Sequence, residues 1–346
     1  MRVKVIPYRL RFKFPAGTSR GVLREKQTYF LVAEDGTYTA VGECALFRGL
    51  SYDDRPDYED FLRRFARRLE EGDFPLPSEL REWPSIRFGY ETLLRSLASP
   101  RADMLFSSEF TAGKKGIPIN GLIWMGDKDF MLRQVEDKLA KGFRVIKMKI
   151  GALDFEKELD VIAHIRRHFS ADEVEIRTDA NGAFSPDEAL EKLSRLAEWE
   201  VHSVEQPLKA GQTEETARLC ELSPVPVALD EELLAVQSPH EKKELLKIIR
   251  PAYIVIKPSL TGGFEGTAEW MEAARASNTG YWITSALESN VGLNAIAQYT
   301  ASLHPQMPQG LGTGQLYRNN IPSPLYLEGD RLFFDPSRKM EFKFFA

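Results

Sequence analysis

The chain has 346 residues, of which 43% are hydrophobic and 28% charged, with a formal net charge of −5. That length and apolar share predict one large barrel plus a smaller domain, and interspersed acids and bases argue against nucleic acid as the main partner, which would favour a basic patch. Two cysteines, Cys44 and Cys220, are too few for a disulfide framework or a zinc site and read as reduced thiols of a cytoplasmic protein, while the charge-studded opening MRVKVIPYRLRFKF predicts neither signal peptide nor membrane span.

Residues 1–97 predict a small α+β domain. Residues 3–14 alternate apolar and basic side chains. Residues 28–33 and 37–43 flank Asp35-Gly36, a hairpin signal. Residues 58–71 and 85–97 have the spacing of amphipathic helices. Two stretches read as loops with a functional cast. Residues 15–25 are rich in Gly, Ser and Arg and offer Arg20 or Arg24 as a substrate contact, against the plainer reading of solvated surface. Residues 43–54 mix Gly with apolar and polar side chains.

From Gly116 the pattern becomes repetitive. Residues 117–124 predict a first barrel strand and 127–141 a helix closed by Gly142. Helices follow at 154–168, 185–200, 213–222, 239–249, 266–277 and 293–303. The one at 185 opens Ser-Pro-Asp-Glu, an N-cap with proline at the first helical position. Residues 280–285 and 309–313 predict the last two strands. The remaining tail is expected to fold back on the N-terminal domain, because eight strand units are already used.

Residues 145–151, VIKMKIG, carry the chemistry of this pattern. Lys147 and Lys149 share one face and Ile146, Met148 and Ile150 the other, the period of a strand. Alone, this reads equally as an edge strand with solvent-facing lysines. Four further strand-like runs end in Asp179, Glu205, Asp230 and Lys257, at steps of 25 to 30 residues, close to the roughly 31 per unit of an eightfold βα barrel. Three carboxylates on consecutive strands, flanked by lysines, predict an oxygen cage for a hard cation with a base on either side. A lysine acts as base only when neutral, and a neighbouring cation such as Lys147 lowers the pKa of Lys149. Lys257 is placed to be a second acid/base or an electrostatic partner.

The motifs Lys147-Met148-Lys149, Arg177-Thr178-Asp179-Ala180-Asn181, Glu205-Gln206-Pro207, Asp230-Glu231 and Ile256-Lys257-Pro258 together resemble the enolase superfamily, in its muconate-lactonising-type subgroup, over essentially the whole chain. The resemblance implies a modified TIM barrel, (β/α)7β, over residues 98–315, an α+β capping domain over 1–97, and a C-terminal segment, 316–346, returning to the cap. It implies magnesium, with manganese as a substitute, at Asp179, Glu205 and Asp230. It also implies Lys149 and Lys257 on opposite faces of a small-molecule carboxylate, with Lys147 beside them.

Within the subgroup, residues 285–292 (SALESNVG) are similar to the Ser-rich seventh-strand end of the o-succinylbenzoate synthase family, where a hydroxyl and backbone amides meet a succinyl carboxylate. Ser285, Glu288 and Ser289, with Arg177 and Asn181, are the substrate contacts expected on that resemblance, to which the loop at 15–25 adds Arg20, and the activity implied is a syn dehydration with Lys149 as base. N-succinylamino acid racemases share both lysines and stay open as an alternative. Dipeptide epimerases carry Asp-x-Asp at the eighth strand, where this chain reads Gly310-Leu311-Gly312 without an acid. A non-catalytic, carboxylate-binding barrel is a third reading. No histidine (164, 168, 202, 240, 304) stands at a motif position, which argues against the histidine-base subgroup. Oligomeric state is not set by the sequence.

Overall fold

A computed structural model describes residues 1–18, 21–151 and 154–342. Strands β1 (Arg2–Thr18) and β2 (Gly21–Glu34) form a long antiparallel hairpin, and β3 (Thr39–Cys44) pairs with β2. Residues 15–25, expected as a loop, are mostly the far half of this hairpin. Backbone pairing resumes after a register shift between Arg11 and Ala16 and runs on to Thr18 opposite Gly21, so ladder hydrogen bonds override the glycine content. The Asp35 carboxylate closes the next turn by accepting the Thr37 and Tyr38 backbone N–H at 3.0 and 2.8 Å. Helices α1 (Tyr58–Glu70) and α2 (Pro84–Ala98) cover this sheet and bury Leu31, Leu62, Phe65 and Tyr90 against it. Two glycines permit the contact: a Cβ on Gly42 of β3 would stand 1.8 Å from the Gly89 carbonyl oxygen of α2.

The predicted first barrel strand divides. Residues Ile117–Pro118 form β4 and Gly121–Ile123 form β5; the Ile119 N–H turns away to Asp330 and the Asn120 N–H to Gln309. Then helix and strand alternate: α3 (Lys128–Ala140), β6 (Val145–Lys149), α4 (Phe155–His168), β7 (Glu175–Asp179), α5 (Pro186–Ala197), β8 (Ser203–Glu205), α6 (Thr213–Leu222), β9 (Val227–Leu229), α7 (Pro239–Ile249), β10 (Tyr253–Ile256), α8 (Gly263–Ala276), β11 (Gly280–Ile283) and α9 (Asn290–Ser302). The caps follow the sequence signals. Asp127 accepts the Phe130 N–H at 2.8 Å, Ser185 and Glu188 form a capping box, and Gly142 takes φ 84° after α3.

The seven strands β5 to β11 form one parallel sheet in chain order. The predicted eighth strand is reduced to Gln309 and Gly310, which bridge Ile119 on one side and Thr284 on the other and close the sheet on itself. Ile146, Met148 and Ile150 point outward into the layer beneath the helices and are fully buried there.

The tail divides its contacts. Tyr317 bridges Phe12 of β1, and Ile321, Met340 and Phe342 pack on Phe30, Val32 and Val41 of the N-terminal sheet. Strands β12 (Leu325–Glu328) and β13 (Arg331–Phe334) instead form a hairpin that pairs with β4 below the barrel. Among the described residues no helix is long and apolar enough to cross a membrane.

Candidate active site at the barrel mouth

Parallel register sets the site. Lys149 pairs with Asp179, and Asp179 with Glu205, so their side chains stand abreast at the C-terminal ends of β6, β7 and β8, the end of a barrel where chemistry is placed. Asp230 follows β9 and Lys257 follows β10. Gln206 fixes the first of these, since its side-chain Oε1 accepts the Asp230 backbone N–H at 2.9 Å. Asn181 and Gln206, just past two of the carboxylates, take left-handed φ values of 45° and 40°. For such residues this conformation costs about 1–3 kcal/mol and is concentrated at functional sites.

The charged groups are interlocked. Lys147 donates to both Glu205 oxygens at 2.6 Å and lies 3.1 Å from Asp179. Lys149 donates to Asp179 at 3.0 Å and to the Asn181 side-chain Oδ1 at 2.6 Å, and the Asn181 side-chain amide in turn donates to Glu231 at 3.0 Å. Lys257 donates to Asp230. Burial alone would lower the Lys147 and Lys257 ammoniums. The surrounding carboxylates outweigh it and hold both above the ordinary lysine value. Asp179 is held well below the carboxylate range because the three lysines overcome its burial. Burial, and then the charge of Asp179, push Glu205 up to about 8.

These groups floor a cavity of about 320 Å³, whose surface includes Lys147, Lys149, Asp179, Asn181, Glu231 and Lys257. Lys149 on β6 and Lys257 after β10 are four strands apart in an eight-strand ring, so they face one another across it. Leu23, Phe47, Arg48 and Leu50 from the N-terminal domain form the roof, with Trp124 and Leu287 at the sides. The roof loop is braced, not slack: Gly49 N–H and the Arg48 guanidinium both bind Asp54, at 2.7 and 2.6 Å.

No three carboxylate, histidine or cysteine side chains among the described residues stand as a ready-made cation cluster; Lys147 bridges Asp179 and Glu205, and Lys257 holds Asp230. The donors nevertheless suit a hard divalent ion. They are carboxylate oxygens from three adjacent strand ends, and the Oδ1 of fully buried Asp230 has no hydrogen-bond partner.

The expected substrate contacts separate into groups. Asn181 and Ser285 line the cavity, and the Ser285 hydroxyl is 2.7 Å from that of Thr313. Arg177 does not reach it: on β7 it is level with Lys147, one layer below Asp179, and its guanidinium binds Glu175 and the Pro308 carbonyl and lies 4.6 Å from the Trp282 ring centre. Glu288 is fully buried and accepts the Ser259 hydroxyl and the Ala286 N–H. Ser289 caps α9 and donates to Glu43 of β3. These two side chains fold the loop after β11 and fasten it to the N-terminal domain, so internal donors and acceptors consume their polarity. The Leu287 N–H likewise turns to Ser285 Oγ at 3.3 Å. Arg20 lies outside the described residues, and Arg24 is exposed while its neighbour Leu23 lines the cavity. Glu231, Phe47, Arg48 and Thr313 escaped the sequence reading. Glu231 had a signal in its adjacency to Asp230, and Phe47 and Arg48 in the mixed loop at 43–54.

Fold and floor together define a barrel enzyme of the enolase type, which sets carboxylates and lysines at strand ends. Residues 131–331 match the family described as Enolase C-terminal domain-like, and the chain belongs to that family. It is similar to the o-succinylbenzoate synthase of Desulfotalea psychrophila, 46% identical over 352 residues that cover 93% of this chain and 95% of that one. The solved structure of MenC from Desulfotalea psychrophila LSv54 superposes with a TM-score of 0.82 at 40% identity, covering 96% and 99% of the two chains. Muconate lactonizing enzyme from Pseudomonas fluorescens shares the fold at 18% identity, with a TM-score of 0.80 over 99% and 96%.

Proposed function

We propose that the chain catalyses the o-succinylbenzoate synthase reaction, the syn dehydration of 2-succinyl-6-hydroxy-2,4-cyclohexadiene-1-carboxylate to 2-succinylbenzoate, a step of menaquinone synthesis. The observation that carries this reading is the opposed pair Lys149 and Lys257 in one cavity, each hydrogen-bonded to a different strand-end carboxylate. The 46% identity to the Desulfotalea relative supports the particular substrate.

Lys149 removes the proton α to the ring carboxylate, and the electron pair enters the enediolate. The C–OH bond on the same face then breaks, with the proton returned from Lys149 to the departing hydroxyl as water. The ring becomes aromatic, so the elimination is downhill once the anion has formed. Lys257 stays an ammonium and faces that charge from the other side. Asp179 and Asn181 hold Lys149 in place, and Lys147 remains a cation within the floor. Asp179, Glu205 and Asp230 are the residues that would hold magnesium. When bound, the ion supplies positive charge against the reacting carboxylate. In this reading residues 1–97 act as the cap, 98–315 as the catalytic barrel and 316–346 as the tie between them. The site of action is the cytoplasm, where two unpaired thiols stay reduced.

An ultraviolet assay of 2-succinylbenzoate formation, with and without magnesium, tests the reading. Rapid magnesium-dependent turnover is expected. A folded, metal-loaded protein that forms no product, yet exchanges solvent deuterium into both enantiomers of an N-succinylamino acid, would replace the dehydratase with the racemase.

A further inference from the structure

The barrel has eight strand positions but, among the described residues, seven outer helices, α3 to α9. Among the described residues no helix follows Gln309–Gly310, and the hairpin β12–β13 pairs with β4 below. The uncovered position holds a groove of about 760 Å³, larger than the catalytic cavity, bounded by α3, by Phe12 and Phe14 of β1, and by Leu316.

The two hollows share a wall. Asn120, Leu122, Trp124, Gly312 and Thr313 line both. Leu122 is level with Lys147 in strand register, so the shared wall stands at the height of the floor. It is thin because the last strand is short: beyond Gly310 no main-chain hydrogen bond joins residues 311–313 to β5 among the described residues. Gly312 does not serve a backbone need. Its φ is not left-handed, and a Cβ there would make ordinary contacts, 3.5 Å from Ile119 and 3.8 Å from the Asn120 carbonyl oxygen. What glycine provides at this position is a missing side chain.

The groove has a definite chemistry. Trp124, Phe130 and Phe143 give apolar walls. Lys141 is tied to Asp137 at 2.7 Å, and the Lys138 ammonium rests 4.9 Å from the Phe143 ring centre within the field of the same Asp137. With Lys13 the lining carries three lysines against this one carboxylate. An apolar groove whose lining holds more ammoniums than carboxylates suits a hydrocarbon chain with a terminal carboxylate.

We infer that this groove is an outer compartment of the same active site, reached past Gly312, and that it takes the far end of an elongated, terminally anionic acyl chain whose head group sits between Lys149 and Lys257. The inference rests on the dehydratase reading for the placement of that head group. It goes beyond it in assigning the protein capacity for acyl chains longer than succinyl.

The test uses the full chain and inhibition constants for 2-succinylbenzoate and its suberoyl and sebacoyl homologues. The long homologues are expected to bind at least as tightly as the succinyl compound. Gly312→Leu is expected to raise the long-to-short ratio of inhibition constants about tenfold. Lys138→Gln is expected to raise it for carboxylate-ended chains and not for methyl-ended ones of equal length. Affinity that falls steadily with chain length in the unsubstituted protein, or a ratio unmoved by Gly312→Leu, overturns the compartment alone. Failure of every acylbenzoate to bind overturns the dehydratase reading and the compartment with it.

Discussion

The floor and the roof of the cavity are built on opposite principles. Below, every functional side chain is charged or amidic and gripped by another: Lys147 by Glu205, Lys149 by Asp179 and Asn181, Lys257 by Asp230. Above, Leu23, Phe47 and Leu50 offer apolar surface from a different part of the chain, with Arg48 committed to Asp54. A network whose members neutralise one another tolerates little change, because removing one partner leaves a buried charge exposed to the rest. An apolar roof is graded, since each methylene lost costs about 0.8 kcal/mol of burial. On the proposed reaction, chemistry belongs to the floor and affinity to the roof.

The sharpest break in that comparison is Lys149→Ala. Loss of a general base should lower kcat on the order of 10²–10⁴-fold, while inhibition by 2-succinylbenzoate changes little; substantial residual turnover would remove Lys149 from the role of base. Next comes Asp230→Asn, for which the magnesium concentration giving half-maximal activity should rise about tenfold or more. Because Lys147 and Lys257 occupy the same carboxylates, chelation of the metal should silence turnover without unfolding the barrel, and circular dichroism alongside the assay separates the two. On the roof, Phe47→Ala should raise KM about tenfold with kcat nearly unchanged, the signature of uniform binding. A fall in kcat instead would place the roof in the chemistry.

A last expected effect, on stability rather than turnover, lies away from the cavity, where the N-terminal sheet and helices meet the barrel. Glu91 of α2 accepts the backbone N–H groups of Phe264 and Glu265 at the start of α8. Burial pushes it up to about 7 from 4.5, against the pull of Arg87. A carboxyl raised on folding stabilises the native state fully below its unfolded value and loses that contribution as pH climbs through the folded value. Between pH 4.5 and 8, Glu91→Gln should therefore gain about 3 kcal/mol relative to the unsubstituted chain, measured by urea unfolding. A difference that does not vary with pH would show that Glu91 is ionised throughout.

The same contrast explains what the sequence disclosed. The floor was legible because strand alternation and near-regular spacing put Lys149, Asp179, Glu205, Asp230 and Lys257 at equivalent strand ends, a one-dimensional signal. The roof was not, since Leu23 and Phe47 meet Trp124 only through the packing of separate elements. Glu288 and Ser289 misled for a related reason. Their residue types fit an anion or substrate contact, but whether a polar side chain faces a cavity or its own loop depends on donors such as Ser259 that lie elsewhere in the chain. Residues 15–25 show the limit of composition, because glycines in a paired hairpin, here Gly17 and Gly21, look like those in a loop. The eighth strand shrank to two residues because hydrogen bonding to both neighbours ends at Gly310.

The apolar patch of Phe30, Val32 and Val41 has a consequence for synthesis in the cell. Its cover includes Ile321, Met340 and Phe342 from the far end of the chain. At ribosomal rates of about 5–20 residues per second, Val41 is made roughly a quarter of a minute to a minute before Ile321. Through that interval the nascent N-terminal sheet carries a sticky, unfinished face. A translational pause after the barrel would lengthen the exposure of that face to aggregation.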